Sequence, residues 1–171
     1  KGFDLKHVYT SWDIFGCGGK VTTQGPAVVF DDTGTFEAIS VADALLGQAM
    51  HVTLVSRYES LGASLPYPPA TVEAAKERLM SQNFDFIGGH YVQGITEDEV
   101  MIGVPFTERK RRLNANTVAL ITYNHPNRDL GDYLTEQLPE METRIHTVGD
   151  ASGTNGIQAA IHQAANLIRS L

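Results

Sequence analysis

The chain has 171 residues, of which 42% are hydrophobic and 19% are charged, and its formal net charge is −7. This length suits one α/β domain with a real core and is too short for two full domains. The composition excludes a disordered chain, and the acidic balance argues against a nucleic-acid or anionic-membrane surface. No apolar run approaches the length of a membrane span. The single cysteine, Cys17, excludes an internal disulfide and a multi-cysteine metal site.

The first segment carries neither an initiator methionine nor a charged-then-apolar leader. We therefore expect a piece of a longer soluble, cytoplasmic protein. Residues 1–25 are predicted to be irregular, because glycines and then Pro26 punctuate the end of the stretch. Such a stretch is typical of a connection that enters a new domain.

A strand, a loop, a helix and a second strand follow in order. The apolar run 27–30 predicts a buried parallel strand, and residues 31–35 form a polar loop. Apolar and small residues from Phe36 to Met50 predict a helix of about four turns. Residues 51–56 then predict another strand. Together these segments predict a right-handed βαβ unit.

The rest of the chain continues an α/β pattern. After a Pro-rich loop at 65–69, we expect a helix at 71–82 with Thr71 as its N-cap. Residues 84–107 predict a small antiparallel meander, and the basic run 109–112 a solvated turn or a contact to an absent domain. Further elements are predicted in this order: a strand at 117–122, a short helix at 130–138, a last strand at 145–148 and an amphipathic helix at 154–171. The predicted fold is a Rossmann-like three-layer α/β domain with a mainly parallel central sheet and a small antiparallel meander.

The loop after the first predicted strand is the first candidate site, since ligands bind beyond the carboxyl ends of parallel strands. It reads Asp31, Asp32, Thr33, Gly34, with one glycine where a dinucleotide fingerprint has three. Two like charges about 4 Å apart cost about 4 kcal/mol at an effective dielectric constant of about 20. A helix N-terminus stabilises a negative charge by only about 0.3–2 kcal/mol. One interpretation is that the loop does not bind a nicotinamide dinucleotide tightly. The alternative is that its carboxylates point to solvent or cap the helix.

The end of the second predicted strand would contact the adenosine ribose. It reads Ser56-Arg57, and a basic residue there favours a ribose 2′-phosphate. The alternative interpretation is an ordinary exposed arginine.

The acidic pair also admits a phosphoacceptor receiver domain, in which such a pair holds Mg²⁺. That class needs an aspartate at the end of the third strand and a lysine after a late strand. Asp85 falls at a strand start instead, and no lysine follows Lys110. The pattern therefore disfavours a receiver domain.

The strongest local signal lies near the C-terminus, where an apolar segment ends in Gly149-Asp150 before a long helix. A carboxylate at this point would be placed to accept hydrogen bonds from ribityl hydroxyls, while the helix dipole faces pyrophosphate. The alternative is that Asp150 caps the terminal helix.

No catalytic residue and no metal site is predicted. Cys17 has no base near it in the sequence. Considered as metal ligands, five of the six histidines show no ligand spacing: His51, His90, His125, His146 and His162.

Five segments in this order resemble the pyridine-nucleotide-like domain of the multidomain NADH:flavin oxidoreductases: 8–13, 28–34, 52–57, 119–127 and 148–150 with the helix that follows. This is the Old Yellow Enzyme-like group that contains trimethylamine dehydrogenase and 2,4-dienoyl-CoA reductase. Within the fourth segment, Thr122 matches the threonine of a Thr-Gly…Pro-Asn stretch, and Tyr123 replaces its glycine.

The resemblance implies three parts: residues 1–25 connecting from a flavin-type domain, residues 26–140 as an NAD(P)-binding-like Rossmann domain, and residues 141–171 returning to the flavin-type domain through a Gly-Asp strand and a helix. It implies a missing upstream barrel with FMN and a 4Fe–4S cluster, and FAD, ADP or NAD(P)H as the nucleotide. The candidate cofactor-binding residues are Asp31, Asp32, Thr33, Gly34, Ser56, Arg57, Thr122, Gly149 and Asp150, and of these the resemblance implies Asp150 as the contact to the nucleotide ribose or the ribityl chain. The acidic loop departs from the usual nicotinamide fingerprint.

We therefore expect the nucleotide-binding C-terminal part of a flavin- and iron–sulfur-dependent oxidoreductase, inactive by itself. Its expected partners are the missing barrel and flavin-type domain of the same chain and, as a further option, a second copy. The alternative is a degenerate Rossmann-like module that holds no nucleotide and braces the barrel or the oligomer.

Overall fold

The computed structural model describes residues 1–65, 70–153 and 156–170. The strands in these residues are β1 (Val8–Tyr9), β2 (Ala27–Asp31), β3 (Val52–Ser56), β4 (Phe84–Ile87), β5 (Tyr91–Ile95), β6 (Glu99–Gly103), β7 (Lys110–Asn114) and β8 (Thr117–Ile121). The α-helices there are α1 (Ser11–Ile14), α2 (Phe36–Leu46), α3 (Ala70–Met80), α4 (Asp129–Gln137) and α5 (Gly156–Ser170). Short 3-10 helices cover Pro139–Arg144 and Gly149–Ala151. The chain forms two compact units, Lys1–Thr122 and Tyr123–Leu171.

A five-stranded parallel sheet forms the centre of the first unit, in the order β1-β8-β2-β3-β4. Its middle strands β8, β2 and β3 are almost entirely buried, because a parallel sheet covered on both faces accepts continuous apolar runs. Neighbouring side chains on one strand point to opposite faces, as Val28 and Val29 do.

Two layers cover this sheet. The α2 and α3 helices pack on one face, where Ile39, Leu45 and Leu79 are fully buried. The antiparallel sheet β5-β6-β7 covers the other face and contributes Val100 and Ile102 to a second core. The structure confirms the predicted Rossmann-like fold class, with its parallel sheet and small antiparallel meander.

The second unit contains α4, α5 and the two 3-10 helices. No described residue from 123 to 170 is buried. Large apolar side chains on α5 are exposed instead: Ile157, Ile161 and Ile168. No helix among the described residues combines the length and the apolar character that crossing a bilayer requires.

Several predicted elements of the first unit need correction. Residues 1–25 are not wholly irregular, since β1 and α1 lie within them. The meander begins at Tyr91, because Phe84–Ile87 joins the parallel sheet beside β3. Most of the basic run lies in β7 and not in a turn. Thr71 is a helical residue of α3 and not its N-cap.

Two other differences concern the helices and the last strand. The helix that begins at Phe36 ends at Leu46, so it is about a turn shorter than predicted. Residues 145–148 form no strand, and among the described residues no neighbouring strand pairs with them. The predicted loop residues 66–69, the predicted helix start at 154–155 and residue 171 lie outside the described residues.

Candidate functional site

The carboxyl edge of the parallel sheet brings together the predicted site residues of the first unit. Asp31, the last residue of β2, is in register with Ser56 of β3 and with Ile121 of β8. Asp32, Arg57 and Thr122 follow these residues directly in the sequence. These candidates therefore lie together at the carboxyl edge, where the predicted strand order places them.

Asp31 points into the protein and is 1% exposed. Its Oδ1 accepts hydrogen bonds from the backbone N–H of Thr33 at 3.0 Å and of Gly34 at 2.8 Å, and from Thr33 Oγ1 at 3.2 Å. Its Oδ2 accepts a bond from the buried Ser56 hydroxyl at 3.2 Å. This is the local side-chain-to-backbone turn that aspartate favours, and it uses the loop donors that a phosphate would need.

Gly34 is required by the protein's own packing. Its φ is +69°, and a Cβ would lie 2.7 Å from Ser64 Oγ and 3.0 Å from Tyr58 Cε2. The Ser64 N–H also donates to the Gly34 carbonyl at 3.0 Å. The close approach that a glycine loop offers to pyrophosphate is therefore taken by the segment after β3.

The second carboxylate of the loop is engaged by the candidate ribose residue. Arg57 Nη1 donates to Asp32 Oδ1 at 3.1 Å, and the Arg57 guanidinium lies 5.6 Å from the centre of the Tyr58 ring. About half of the Arg57 side chain is exposed. Arg57 thus forms an ion pair across the strand ends, and only its remaining donors face solvent.

A third carboxylate stands at the N-terminus of α2. Glu37, in the first turn, accepts a hydrogen bond from the buried Ser11 hydroxyl of α1. A negative charge there interacts favourably with the helix dipole, which is the interaction that a bound phosphate would otherwise make. The residues of the β2–α2 loop and of this turn do not fit a dinucleotide pyrophosphate.

Sequence reasoning missed several residues at this edge. His90 N–H donates to the Ser56 carbonyl at 3.0 Å, and Gly89 N–H donates to the Tyr58 carbonyl at 3.1 Å. The Gly88-Gly89 pair that follows β4 was the available signal, because paired glycines after an apolar run indicate a close backbone approach. A Cβ on Gly88 would lie 2.8 Å from the Glu59 carbonyl oxygen.

The Gly149-Asp150 turn lies in the second unit and is held on α5. Gln163 Oε1 accepts hydrogen bonds from the Gly149 N–H at 2.8 Å and from Ser152 Oγ at 3.0 Å. Gly149 has a φ of +66°, and a Cβ there would lie 3.3 Å from Ala160 Cβ. Asp150 is exposed and has no hydrogen bond or ion pair with any described residue. The turn thus presents a carboxylate that the described chain does not use.

The remaining candidates form no second site. His51 Nε2 contacts Asp85 Oδ2 at 2.9 Å, and His90 Nδ1 lies 2.6 Å from the Gly88 carbonyl. Cys17 is exposed. No group of three or more possible metal ligands occurs in the part of the chain that the structure describes.

The fold is shared with solved flavoenzymes. The 6-hydroxypseudooxynicotine amine oxidase from Pseudomonas geniculata matches with a TM-score of 0.79 at 22% identity, over 93% of this chain and 24% of that one. Histamine dehydrogenase from Rhizobium sp. 4-9 matches with a TM-score of 0.82 at 20% identity, over 98% and 26%. A 2-naphthoyl-CoA reductase matches with a TM-score of 0.72 at 20% identity, over 95% and 23%. No family model and no curated protein sequence matches the chain.

These three enzymes belong to the Old Yellow Enzyme and trimethylamine dehydrogenase family, and the match covers their C-terminal region. The resemblance predicted from the sequence is thereby confirmed, and the likeness establishes the shared fold. The chain spans about a quarter of the length of each of these proteins.

Proposed function

We propose that this chain is the C-terminal nucleotide-fold region of a larger flavin-dependent oxidoreductase. The fold is that of the C-terminal region of three flavoenzymes, and this chain is about a quarter as long as each of them. Residues 1–25 would enter from a flavin-type domain, residues 26–140 form the NAD(P)-binding-like domain, and residues 141–171 return. We expect the intact enzyme to be cytoplasmic. We expect this region to be catalytically inactive by itself.

The nucleotide contact that we propose for this region is the Asp150 carboxylate. The observation that carries it is the Gly149–Ser152 turn, which Gln163 holds while Asp150 remains exposed and unpaired among the described residues. A carboxylate accepts two or more hydrogen bonds, so it suits the hydroxyls of a ribose or a ribityl chain. We propose FAD or ADP as the class of nucleotide, because the resemblance implies that the chain returns to the flavin-type domain through the segment that contains Asp150.

In this proposal, FMN and the 4Fe–4S cluster are bound by the missing barrel domain and not by this chain. A cluster of this type is held by cysteine thiolates, and this chain contributes Cys17 alone. The exposed isoleucines of α5 support a further domain beside this one, because large exposed apolar patches mark interaction sites.

The test is a calorimetric titration of the 171-residue chain with ADP, FAD, NADH and NADPH. We expect saturable binding of ADP or FAD that Asp150→Asn weakens about tenfold or more, since the negative charge and one of the two acceptor oxygens are lost. Asp129→Asn, which alters another exposed aspartate of the second unit, is the matched control and should leave the affinity unchanged. Binding that survives Asp150→Asn would contradict the proposed contact.

A second candidate function is a structural module that holds no nucleotide. The observation that favours it is the self-contained β2–α2 loop, where Asp31 takes the backbone donors and Asp32 pairs with Arg57. Folded chain that binds none of the four nucleotides would support this candidate against the first. Binding of NADH or NADPH with amide shifts at Thr33 and Gly34 would contradict both.

A further inference from the structure

The β7 strand concentrates positive charge in an acidic chain. Residues 109–112 read Arg-Lys-Arg-Arg, which is four of the 13 lysines and arginines in a chain of net charge −7. All four side chains are exposed. The structure gives Arg112 a long contact to Glu99, 3.5 Å between Nη1 and Oε2, and no ion pair to the other three within the described residues.

This strand is also an open edge. The three-stranded sheet has the order β5-β6-β7, so β7 pairs with β6 alone. In an antiparallel pair, every second residue of β7 directs its backbone N–H and C=O toward β6. Two hydrogen bonds show which residues these are: Val104 N–H donates to the Arg109 carbonyl, and Ala115 N–H donates to the Asp98 carbonyl. By that alternation the backbone groups of Lys110 and Arg112 point away from β6. Among the described residues they have no hydrogen-bond partner across this edge.

The basic side chains lie on both faces of this edge. Arg111 shares a face with the buried Leu113, and Arg111 and Arg112 both border a cavity of about 290 Å³ next to His51. Asp85, the carboxylate in that cavity, already contacts His51 Nε2 at 2.9 Å. Lys110 and Arg112 lie on the opposite face. A strand added here would meet a positive charge on each side.

We propose that β7 is the docking edge for an extended, acidic segment of a partner protein. The segment adds to the β5-β6-β7 sheet as a fourth strand, and its backbone pairs with the free groups of Lys110 and Arg112. Its carboxylates face Arg111 on one side and Lys110 and Arg112 on the other, and one of them enters the cavity that Arg111 and Arg112 border.

A second copy of this chain does not meet this requirement. Two β7 edges placed side by side would bring like charges together, which is how proteins prevent edge-to-edge association. No described strand carries more than one carboxylate. The net charge of −7 disfavours nucleic acid as the partner. A nucleic acid also has no peptide backbone that could form β-sheet hydrogen bonds with the free donors and acceptors of this edge.

The experiment uses the 171-residue chain and a blocked eight-residue peptide in which pairs of glutamates alternate with pairs of valines, so that carboxylates lie on both faces of the added strand. We expect saturable binding, with amide shifts in two-dimensional NMR centred on Lys110 and Arg112. The double variant Arg111→Gln, Arg112→Gln should bind about tenfold more weakly or worse. The exposed pair Lys6→Gln, Lys20→Gln removes the same charge elsewhere and should bind as the parent does.

Two further probes decide the mode of binding. A peptide with proline in place of valine keeps the charge but cannot form the ladder, so it should bind at least several-fold more weakly. An eight-nucleotide oligothymidine tests simple attraction of polyanions and should also bind more weakly. The proposal is overturned by no saturable binding of the valine peptide, by equal binding of either probe, or by full affinity in the Arg111, Arg112 double variant.

Discussion

Asp31 organises the loop that follows β2. With a buried side chain it accepts two backbone N–H bonds and two hydroxyl bonds, so it joins the loop to the end of β3. A buried carboxylate is tolerated where hydrogen bonds compensate its loss of water. The same arrangement explains why this loop does not accept a phosphate, since one anion already occupies the donors.

Replacing Asp31 with alanine should destabilise the first unit by about 2–4 kcal/mol, because buried donors lose their acceptor. The matched control is Asp32→Ala, which removes one partly exposed ion pair and should cost less than about 1 kcal/mol. Urea unfolding followed by circular dichroism measures both values. Equal losses in the two variants would show that Asp31 does not organise the loop.

The sequence predicted where the candidate residues lie in the fold better than it predicted where their side chains point. The run 27–30 placed Asp31 at the carboxyl edge, and the structure has it there. Whether its carboxylate faced a ligand or the loop depended in part on Ser56, which is distant in sequence. The short sequence Asp-x-Thr-Gly was a signal for the inward turn, because aspartate commonly accepts bonds from backbone two residues on. Nothing local indicated that Gln163 would hold the Gly149 turn.

At the level of elements, α1 shows how a very short helix is held at its start. Thr10 and Asp13 form a reciprocal capping box: the Thr10 N–H and hydroxyl donate to Asp13 Oδ2 at 2.8 Å and 2.7 Å, and the Asp13 N–H donates to the Thr10 hydroxyl. The Thr10 backbone bond first, and its hydroxyl second, hold the pKa of Asp13 below its ordinary value of 3.8. Asp13 therefore stabilises the native state above its unfolded-state pKa, and this contribution is lost as the pH falls through the lower, folded-state pKa.

The Thr10→Val variant should raise the pKa of Asp13 part of the way toward 3.8, since the hydroxyl is removed and the larger backbone contribution stays. Carboxyl carbon chemical shifts followed by NMR from about pH 6 to 2 measure the pKa. Thr23→Val, which changes a threonine outside the cap, serves as the reference and should leave the titration of Asp13 unaltered. An unchanged Asp13 titration in Thr10→Val would exclude the capping box as the cause.

Elements with strong local patterns were predicted, and elements defined by distant pairing were not. The β2, β3 and β8 strands are apolar runs that are buried on both faces, so the sequence alone indicates them. β4 has the same role, but its short run before two glycines resembles the meander that follows it. Residues 145–148 show the opposite error, since an apolar segment becomes a strand only where a neighbouring edge pairs with it.

Across the whole chain, burial is distributed very unevenly. Every buried residue among those described lies at or before Ile121, whereas α4, α5 and the two 3-10 helices have none. Burial of apolar surface is the main favourable contribution to folding, so the two units have different stabilities by themselves. The exposed isoleucines of α5 fit a second unit whose stability depends on a neighbour.

Hydrogen exchange of the 171-residue chain should therefore separate the units. We expect amides of β2, β3 and β8 to exchange at least about 100-fold more slowly than amides of α5, because opening α5 exposes little buried surface. Exchange followed by mass spectrometry resolves peptides from both units in one sample, so the sheet serves as the internal reference for the helix. If the α5 amides were protected as strongly as those of β3, the second unit would be stable without a neighbour. The exposed face of α5 would then no longer support a missing domain beside it.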